Sequence, residues 1–153
     1  MESSSKRIIF IAPVFYIGAF FINWSVTVSK QFTLGKNERL KSRKAIEQLF
    51  KDGQRFTITP FRIFYAMAPA VELQAGVGAG TRNFKKATDR NRIKRLTREA
   101  WRLQKKPLQE KLQQLEKGLH IFFIYTGKEM PTYNQVYESV EKSLQKLNEI
   151  IEA

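Results

Sequence analysis

The chain has 153 residues, one histidine and no cysteine, and its 27 Lys or Arg residues outnumber 14 acidic residues to give a formal net charge of +13. This length suits one domain with a buried core, and a hydrophobic content of 42% with twelve Phe indicates a folded globule. The lack of cysteine excludes disulfides and Cys-ligated zinc, and one histidine excludes the common His-based metal clusters. The basic balance predicts an anionic partner, which could be RNA, DNA or acidic lipid.

The first 30 residues differ in character from the rest of the chain. They contain an apolar run, Ile8 to Ile22, preceded by Lys6 and Arg7. The run is shorter than the ~20 residues that a helix needs to cross a bilayer, and no clear small-residue cleavage site follows it. Our preferred interpretation of residues 1–30 is a dispensable extension from a misplaced start, and the alternatives are a membrane-associated segment or a folded part of the domain. We therefore predict a single domain over residues 31–153.

The first half of this domain reads as a helix followed by strands. Apolar spacing predicts a helix over Lys36–Lys51, which Gly53 would end. Alternation predicts a strand over Phe56–Ala68, with Pro60 near its start or at a bulge. A weaker, glycine-rich strand is predicted over Val71–Gly80.

The second half continues with helices around one buried strand. We predict a basic helix over Thr88–Gln104, a helical turn or two within Pro107–Lys117, and a buried strand over Leu119–Tyr125. A capping box, Thr132 with Gln135, predicts the start of a closing amphipathic helix. The order α-β-β-β-α-β-α predicts an α+β fold in which helices pack on a small, mainly four-stranded sheet.

The segment from residue 82 to residue 106 carries most of the positive charge, with eleven Lys or Arg against two acidic residues. At about 100° per residue, one helix face holds Arg90, Asn91, Lys94, Arg95, Arg98 and Arg102. The opposite face holds Ile93, Leu96, Ala100 and Leu103. A basic stripe opposite an apolar stripe is typical of a helix that packs on a core and meets a phosphate backbone. The alternative is a merely solvated face, but such faces usually mix in acidic i,i+4 partners.

The run Arg90–Leu96, RNRIKRL, resembles the signature of the bacterial ribonuclease P protein subunit. Residues 39–53 resemble its first helix, residues 61–65 its first strand, and residues 82–87 the entry into its basic helix. The resemblance covers about residues 32–150. The chain departs from the family pattern at Ile46, where an aromatic residue is common, at Thr88, where a Val is common, and in the glycine-rich segment of residues 76–80.

The resemblance implies a ribosomal protein S5 domain 2-like fold with an uncommon left-handed βαβ crossover through the basic helix. It also implies a cytoplasmic subunit of an RNA-based endonuclease that removes the 5′ leader of precursor tRNA. The expected partners are the catalytic RNA and precursor tRNA, with no DNA and no membrane. No catalytic residue and no cofactor are expected in this chain, because the RNA would hold the Mg²⁺ ions.

Three groups of site residues follow from the resemblance and the pattern. The RNA-binding basic helix would use Arg90, Asn91, Arg92, Lys94, Arg95 and Arg98. A leader-binding cleft between the first helix and the sheet would use Ile46, Phe50, Ile63 and Tyr65. Auxiliary basic residues would be Arg39, Lys41, Arg82, Lys85 and Lys86. The alternative for Phe50, Ile63 and Tyr65 is an ordinary core position, and His120 is predicted to be a core or edge histidine.

Three other functions remain open at this level. A ribosomal or RNA-chaperone protein would share the charge but would need no leader cleft. A membrane-peripheral protein would use Ile8–Ile22 on anionic lipid. A protein-only nuclease would cleave without an RNA subunit, but the chain offers no evident acid–base or metal-binding set for it.

Overall fold

A computed structural model describes residues 34–152. Within these residues the chain forms, in order, α1 (Arg43–Asp52), β1 (Gln54–Ile58), β2 (Phe61–Ala68), β3 (Leu73–Ala79), α2 (Ala87–Gln104), α3 (Lys106–Gln114), β4 (Gly118–Tyr125) and α4 (Tyr133–Glu152). The predictions for residues 1–30 lie outside this range. No helix of residues 34–152 is both long enough and apolar enough to span a bilayer.

The four strands form one mixed sheet in the order β1-β2-β4-β3. β2 pairs antiparallel with both β1 and β4, whereas β3 runs parallel to β4. A parallel pair needs a crossover connection, and α2 and α3 supply it. The predicted α+β fold with a four-stranded sheet is therefore confirmed.

The sheet is covered on both faces, and strand alternation sends neighbouring residues to opposite sides. The face toward α2, α3 and α4 carries the main core, which includes Ile63, Ile121 and Phe123 of the sheet. The other face carries a smaller cluster around Leu49 of α1 and Phe64 of β2. Hence α1 and α2 lie on opposite faces of the sheet.

Two predicted element boundaries are wrong. The single strand predicted over Phe56–Ala68 is two strands, because the chain reverses at Thr59–Pro60 and pairs β1 with β2. The first helix begins at Arg43 rather than Lys36, because the Ser42 hydroxyl accepts a hydrogen bond from the Ala45 N–H at 3.4 Å and caps the helix.

The residues that precede α1 pair with the sheet edge instead of extending the helix. The Leu40 N–H donates to the Ala75 carbonyl of β3 at 3.1 Å, and the Ala75 N–H donates to the Glu38 carbonyl at 2.9 Å. The Glu38 carboxylate also forms an ion pair with Lys105 at the end of α2, whose side chain is only 3% exposed. These contacts fix the start of the described chain against β3 and α2.

The glycine-rich β3 is explained by one ring of β4. A Cβ placed on Gly76 would collide with the Phe122 ring, and a Cβ on Gly78 would lie 3.0 Å from the Phe122 Cε1. The two glycines therefore let Phe122 lie flat across β3. The firm strand pairing of β3 with β4 does not depend on side chains at these positions.

Gly76→Ala is expected to lower the free energy of unfolding by about 1–3 kcal/mol, because the new methyl group forces the Phe122 ring out of its position. Thermal or denaturant unfolding measures this loss. Gly80→Ala is the matched control, since among residues 34–152 no atom beyond its two chain neighbours lies within 4 Å of a Cβ placed there. Equal stability of the two variants would contradict this account of the glycines.

Candidate nucleic-acid interface

The basic helix α2 is held by a stripe of buried residues, Ile93, Thr97, Ala100 and Trp101. The Thr97 hydroxyl donates to the Ile93 carbonyl at 2.9 Å, which satisfies a polar group inside the core. The predicted apolar face correctly included Ile93 and Ala100, but it missed Thr97 and Trp101. Thr97 and Trp101 follow Ile93 by four and eight residues, and this i,i+4 repeat could have identified both.

Most of the predicted basic-helix residues are exposed. Asn91, Arg92, Arg95 and Arg98 face solvent, and Lys94 is half-buried. Guanidinium groups presented in this way can bind phosphate oxygens bidentately. The structure therefore shows a cationic surface on the side of α2 that faces away from the core.

Arg90 differs from its neighbours, because its guanidinium is engaged within the protein. Its Nη1 donates to the carbonyl oxygens of Phe84 at 2.8 Å and Lys85 at 2.7 Å. Arg90 thus fixes the loop that enters α2 and holds the shape of the helix start. Its positive charge remains next to Lys85 and Lys86.

The loop before α2 is anchored to the residues that follow the C-terminal end of β4. The Asn83 amide donates to the carbonyls of Thr126 and Gly127, both at 3.0 Å. The buried Phe84 ring lies 5.8 Å from Tyr125. Between these anchors, three auxiliary basic residues are exposed at the start of α2: Arg82, Lys85 and Lys86. The other two predicted auxiliary residues, Arg39 and Lys41, are exposed just before α1.

Glu99 and Arg102 form an ion pair on the solvent side of α2, with Arg102 Nε 2.9 Å from a Glu99 carboxylate oxygen. The hydrogen bond from Arg102 lowers the pKa of Glu99, and the same bond raises the pKa of Arg102. The Glu99 carboxylate is therefore largely neutralised within the helix.

An aromatic cluster lies between α1 and the sheet. Phe50 of α1 meets Phe64 of β2 with ring centroids 4.9 Å apart and Phe122 of β4 with centroids 5.1 Å apart, both edge to face. Phe50 is 41% exposed although it belongs to this contact. Half-buried Ile46 and Ile124 pack beside the cluster. An open aromatic surface therefore exists where the leader-binding cleft was predicted, and it includes Ile46 and Phe50 as expected.

The assignment of Ile63 and Tyr65 to this cleft is wrong. Ile63 is fully buried in the main core, on the face of the sheet opposite α1. Tyr65 points to the same face, where its ring lies 5.7 Å from Phe56 and its hydroxyl donates to Gln54. The residues that face α1 are their neighbours, Phe64 of β2 and its cross-strand partner Phe122 of β4. The error is a shift of one residue, which exchanges the two faces of a strand.

His120 is a half-buried residue at the start of β4, in agreement with the prediction of a core or edge histidine. Its Nε2 lies 2.9 Å from a Glu72 carboxylate oxygen, and Gln74 donates to the other oxygen of Glu72 at 3.0 Å. No group of three or more His, Cys, Asp or Glu side chains is arranged to hold a metal ion within residues 34–152.

A cationic helix and an open aromatic surface on one small α+β domain define a nucleic-acid-binding protein. The family model for Ribonuclease P matches residues 34–148 of the chain. The ribonuclease P protein component of Porphyromonas gingivalis is 34% identical over 122 residues, covering 78% of this chain and 89% of that relative. The chain therefore belongs to the ribonuclease P protein family, and as a member it is a subunit of ribonuclease P.

Solved structures agree with this assignment. The RNase P protein of Thermotoga maritima superposes with a TM-score of 0.57 at 25% identity, covering 71% of this chain and 96% of that one. The Staphylococcus aureus RNase P protein superposes with a TM-score of 0.53 at 19% identity, covering 73% of this chain and 96% of that one. The second comparison shows a shared fold.

Proposed function

We propose that this subunit binds two RNAs at once: the catalytic RNA of ribonuclease P through α2, and the single-stranded 5′ leader of precursor tRNA through the aromatic cluster. The observation that carries this proposal is the placement of Phe50, an exposed ring on α1 that rests against two further rings of the sheet. A core residue would be covered, whereas a platform for a nucleobase must be open on one side.

The basic helix supports the first contact. Arg92, Arg95 and Arg98 are exposed on α2, and the buried stripe fixes the helix to the core. Phosphate contacts supply most of the affinity in such complexes through the release of counterions. The auxiliary cations at the start of α2 extend the same charged surface.

The aromatic cluster supports the second contact. A base stacked on an aromatic side chain contributes about 1–3 kcal/mol with little dependence on its identity. Arg62 is exposed on the same face of the sheet, beside Ile124, and can meet the sugar-phosphate backbone. A contact to the leader favours precursor over product, because the mature tRNA has lost the leader.

In this proposal the RNA carries out the cleavage. The catalytic RNA holds the Mg²⁺ ions that activate water and stabilise the leaving oxygen, and the protein positions the substrate in the cytoplasm. This division of labour rests on the resemblance to the family. The protein contributes binding free energy that depends on whether the leader is present.

Reconstitution tests the proposed function. Adding the protein to a cognate catalytic RNA at low Mg²⁺ concentration is expected to restore removal of the 5′ leader, measured as the rate of appearance of mature 5′ ends. The control reactions contain RNA alone or protein alone. Cleavage by nuclease-treated protein alone, or no stimulation of the RNA, would sink the proposal.

A further inference from the structure

One flank of the exposed side of α2 lies next to the start of α4. Glu99 and Arg102 act electrostatically on Tyr133 of α4, and the Gln104 amide donates to the Tyr137 carbonyl at 3.1 Å. Arg95 lies one helical turn before Glu99 on this flank, and Arg92 lies about 20° from Glu99 around the helix axis. Arg92 and Arg95 therefore lie on the same flank of α2 as Glu99, about two turns and one turn before it along the helix.

Tyr133 and Tyr137 form an aromatic pair on that first turn. Their ring centroids are 5.9 Å apart and the ring planes are inclined by 51°. Both side chains are half-buried, with one part of each ring against the main core. Neither hydroxyl makes a hydrogen bond to any of residues 34–152. Burial raises the pKa of Tyr133 above its usual value, and the charges of Glu99 and Tyr137 act in the same direction, against an opposing effect of Arg102.

We propose that Tyr133 and Tyr137 form a second stacking site, which receives an unpaired base of the catalytic RNA while Arg92 and Arg95 hold the adjoining phosphates. This inference rests on the proposed function, because it assigns a further contact to the RNA that α2 binds. The tyrosine pair lies beside α2 and α4, whereas the aromatic cluster around Phe50 lies on the opposite face of the sheet. The two stacking sites therefore serve two different RNAs.

The positive charge that α2 presents beside the pair favours RNA over a protein partner, and the exposed carboxylates of Glu138 and Glu141 on α4 direct phosphates toward α2. The neighbouring exposed residues of α2 are mainly arginines, and the acidic residue among them, Glu99, is paired with Arg102. A phosphate group can approach without meeting an uncompensated carboxylate on α2. Rings that offer both a face and free hydroxyls, next to guanidinium groups, are the combination used to hold unpaired bases.

Two double variants separate stacking from packing. Tyr133→Leu with Tyr137→Leu keeps apolar contact with the core but removes the aromatic rings, whereas Tyr133→Phe with Tyr137→Phe keeps the rings. The dissociation constant for the catalytic RNA alone, without tRNA, is measured at a fixed salt concentration. The leucine variant is expected to bind about 5- to 150-fold more weakly, and the phenylalanine variant close to wild type. Thermal unfolding verifies that each variant is folded.

The outcomes distinguish this inference from the proposed function. If Arg92→Ala with Arg95→Ala weakens binding of the catalytic RNA while the leucine variant binds normally, α2 binds the RNA and the stacking site is refuted. If neither variant changes that affinity, the proposed role of α2 fails as well. Equal weakening by the leucine and phenylalanine variants would also overturn stacking. A loss that depends on the presence of the tRNA leader would assign the tyrosines to the substrate instead.

Discussion

Removing three exposed arginines from α2 is expected to reduce both the affinity for the catalytic RNA and its dependence on salt. In the triple variant Arg92→Ala, Arg95→Ala and Arg98→Ala, three of about six phosphate contacts are lost. Six contacts predict roughly a thousandfold loss of affinity between 50 and 200 mM salt, and three predict a loss of roughly 40-fold. The slope of log affinity against log salt concentration is therefore expected to become shallower by two to three units. Binding titrations at four or more salt concentrations measure this slope.

The control removes the same charge from another part of the surface. Lys117, Lys128 and Lys142 are exposed and lie outside α2. Their triple alanine variant has the same net charge as the arginine variant. Its salt dependence is expected to match wild type, because these lysines are not placed on the basic helix. An equally shallow slope in both variants would show that total charge, rather than the surface of α2, determines binding.

The second large effect concerns selection of precursor over product. Phe50→Ala removes the exposed ring of the aromatic cluster and is expected to weaken binding of leader-bearing tRNA by about 5- to 150-fold. Binding of mature tRNA is expected to stay unchanged, because that ligand has no leader to stack. The dissociation constants of leader-bearing and mature tRNA from the complex of protein and catalytic RNA are measured under non-cleaving conditions. The ratio of the two constants measures the contribution of the contact between Phe50 and the leader.

Ile63→Ala is the matched control, because Ile63 lies on the same sheet but is fully buried on the opposite face. It is expected to lower the free energy of unfolding by about 2–5 kcal/mol and to leave the ratio of precursor to product affinity unchanged at temperatures where the protein is folded. If Phe50→Ala weakens binding of both tRNAs equally, the cluster is not a leader-binding site. If Ile63→Ala changes the ratio, the assignment of faces is mistaken.

The basic helix was predictable because two independent patterns coincide there. The charge density of residues 82–106 and the spacing of Ile93 and Ala100 both identify a helix with one face on a core. The closing helix was equally clear, since Thr132 and Gln135 form the predicted capping box, with the Thr132 N–H donating to the Gln135 side chain at 3.0 Å. Long amphipathic segments with defined caps carry enough local information to locate them.

The local sequence does not predict which residues of β2 face α1, because the sheet is covered on both faces. Ile63 and Phe64 are both buried, and on β4 the half-buried Phe122 and Ile124 alternate with buried residues. When apolar residues occupy both sides of a strand, alternation does not tell which side faces a given helix. Only the position of α1, which depends on long-range packing, shows that Phe64 and not Ile63 belongs to the cleft.

The boundaries near α1 and the β1–β2 turn depended on similar long-range contacts. Residues 38–40 could extend a helix, but their backbone groups pair with Ala75, which is far away in the sequence. The reversal at Thr59–Pro60 occupies only two residues between apolar strands, and its local sign is that the apolar positions change there from even numbers (Phe56, Ile58) to odd numbers (Phe61, Ile63). The pairing of residues 38–40 with Ala75 has no such sign among the neighbouring residues.

The packing of the Phe122 ring against Gly76 and Gly78 of β3 limits which substitutions this protein can accept. The ring that rests on Gly76 and Gly78 is also the ring that supports Phe50 from below. A mutation that adds a side chain to β3 at either glycine therefore displaces the Phe122 ring and, through it, the exposed Phe50 ring. Such a mutation becomes tolerable when Phe122 is replaced at the same time by a smaller residue. Substitutions at Gly76 and Gly78 are therefore expected to depend on the residue at position 122.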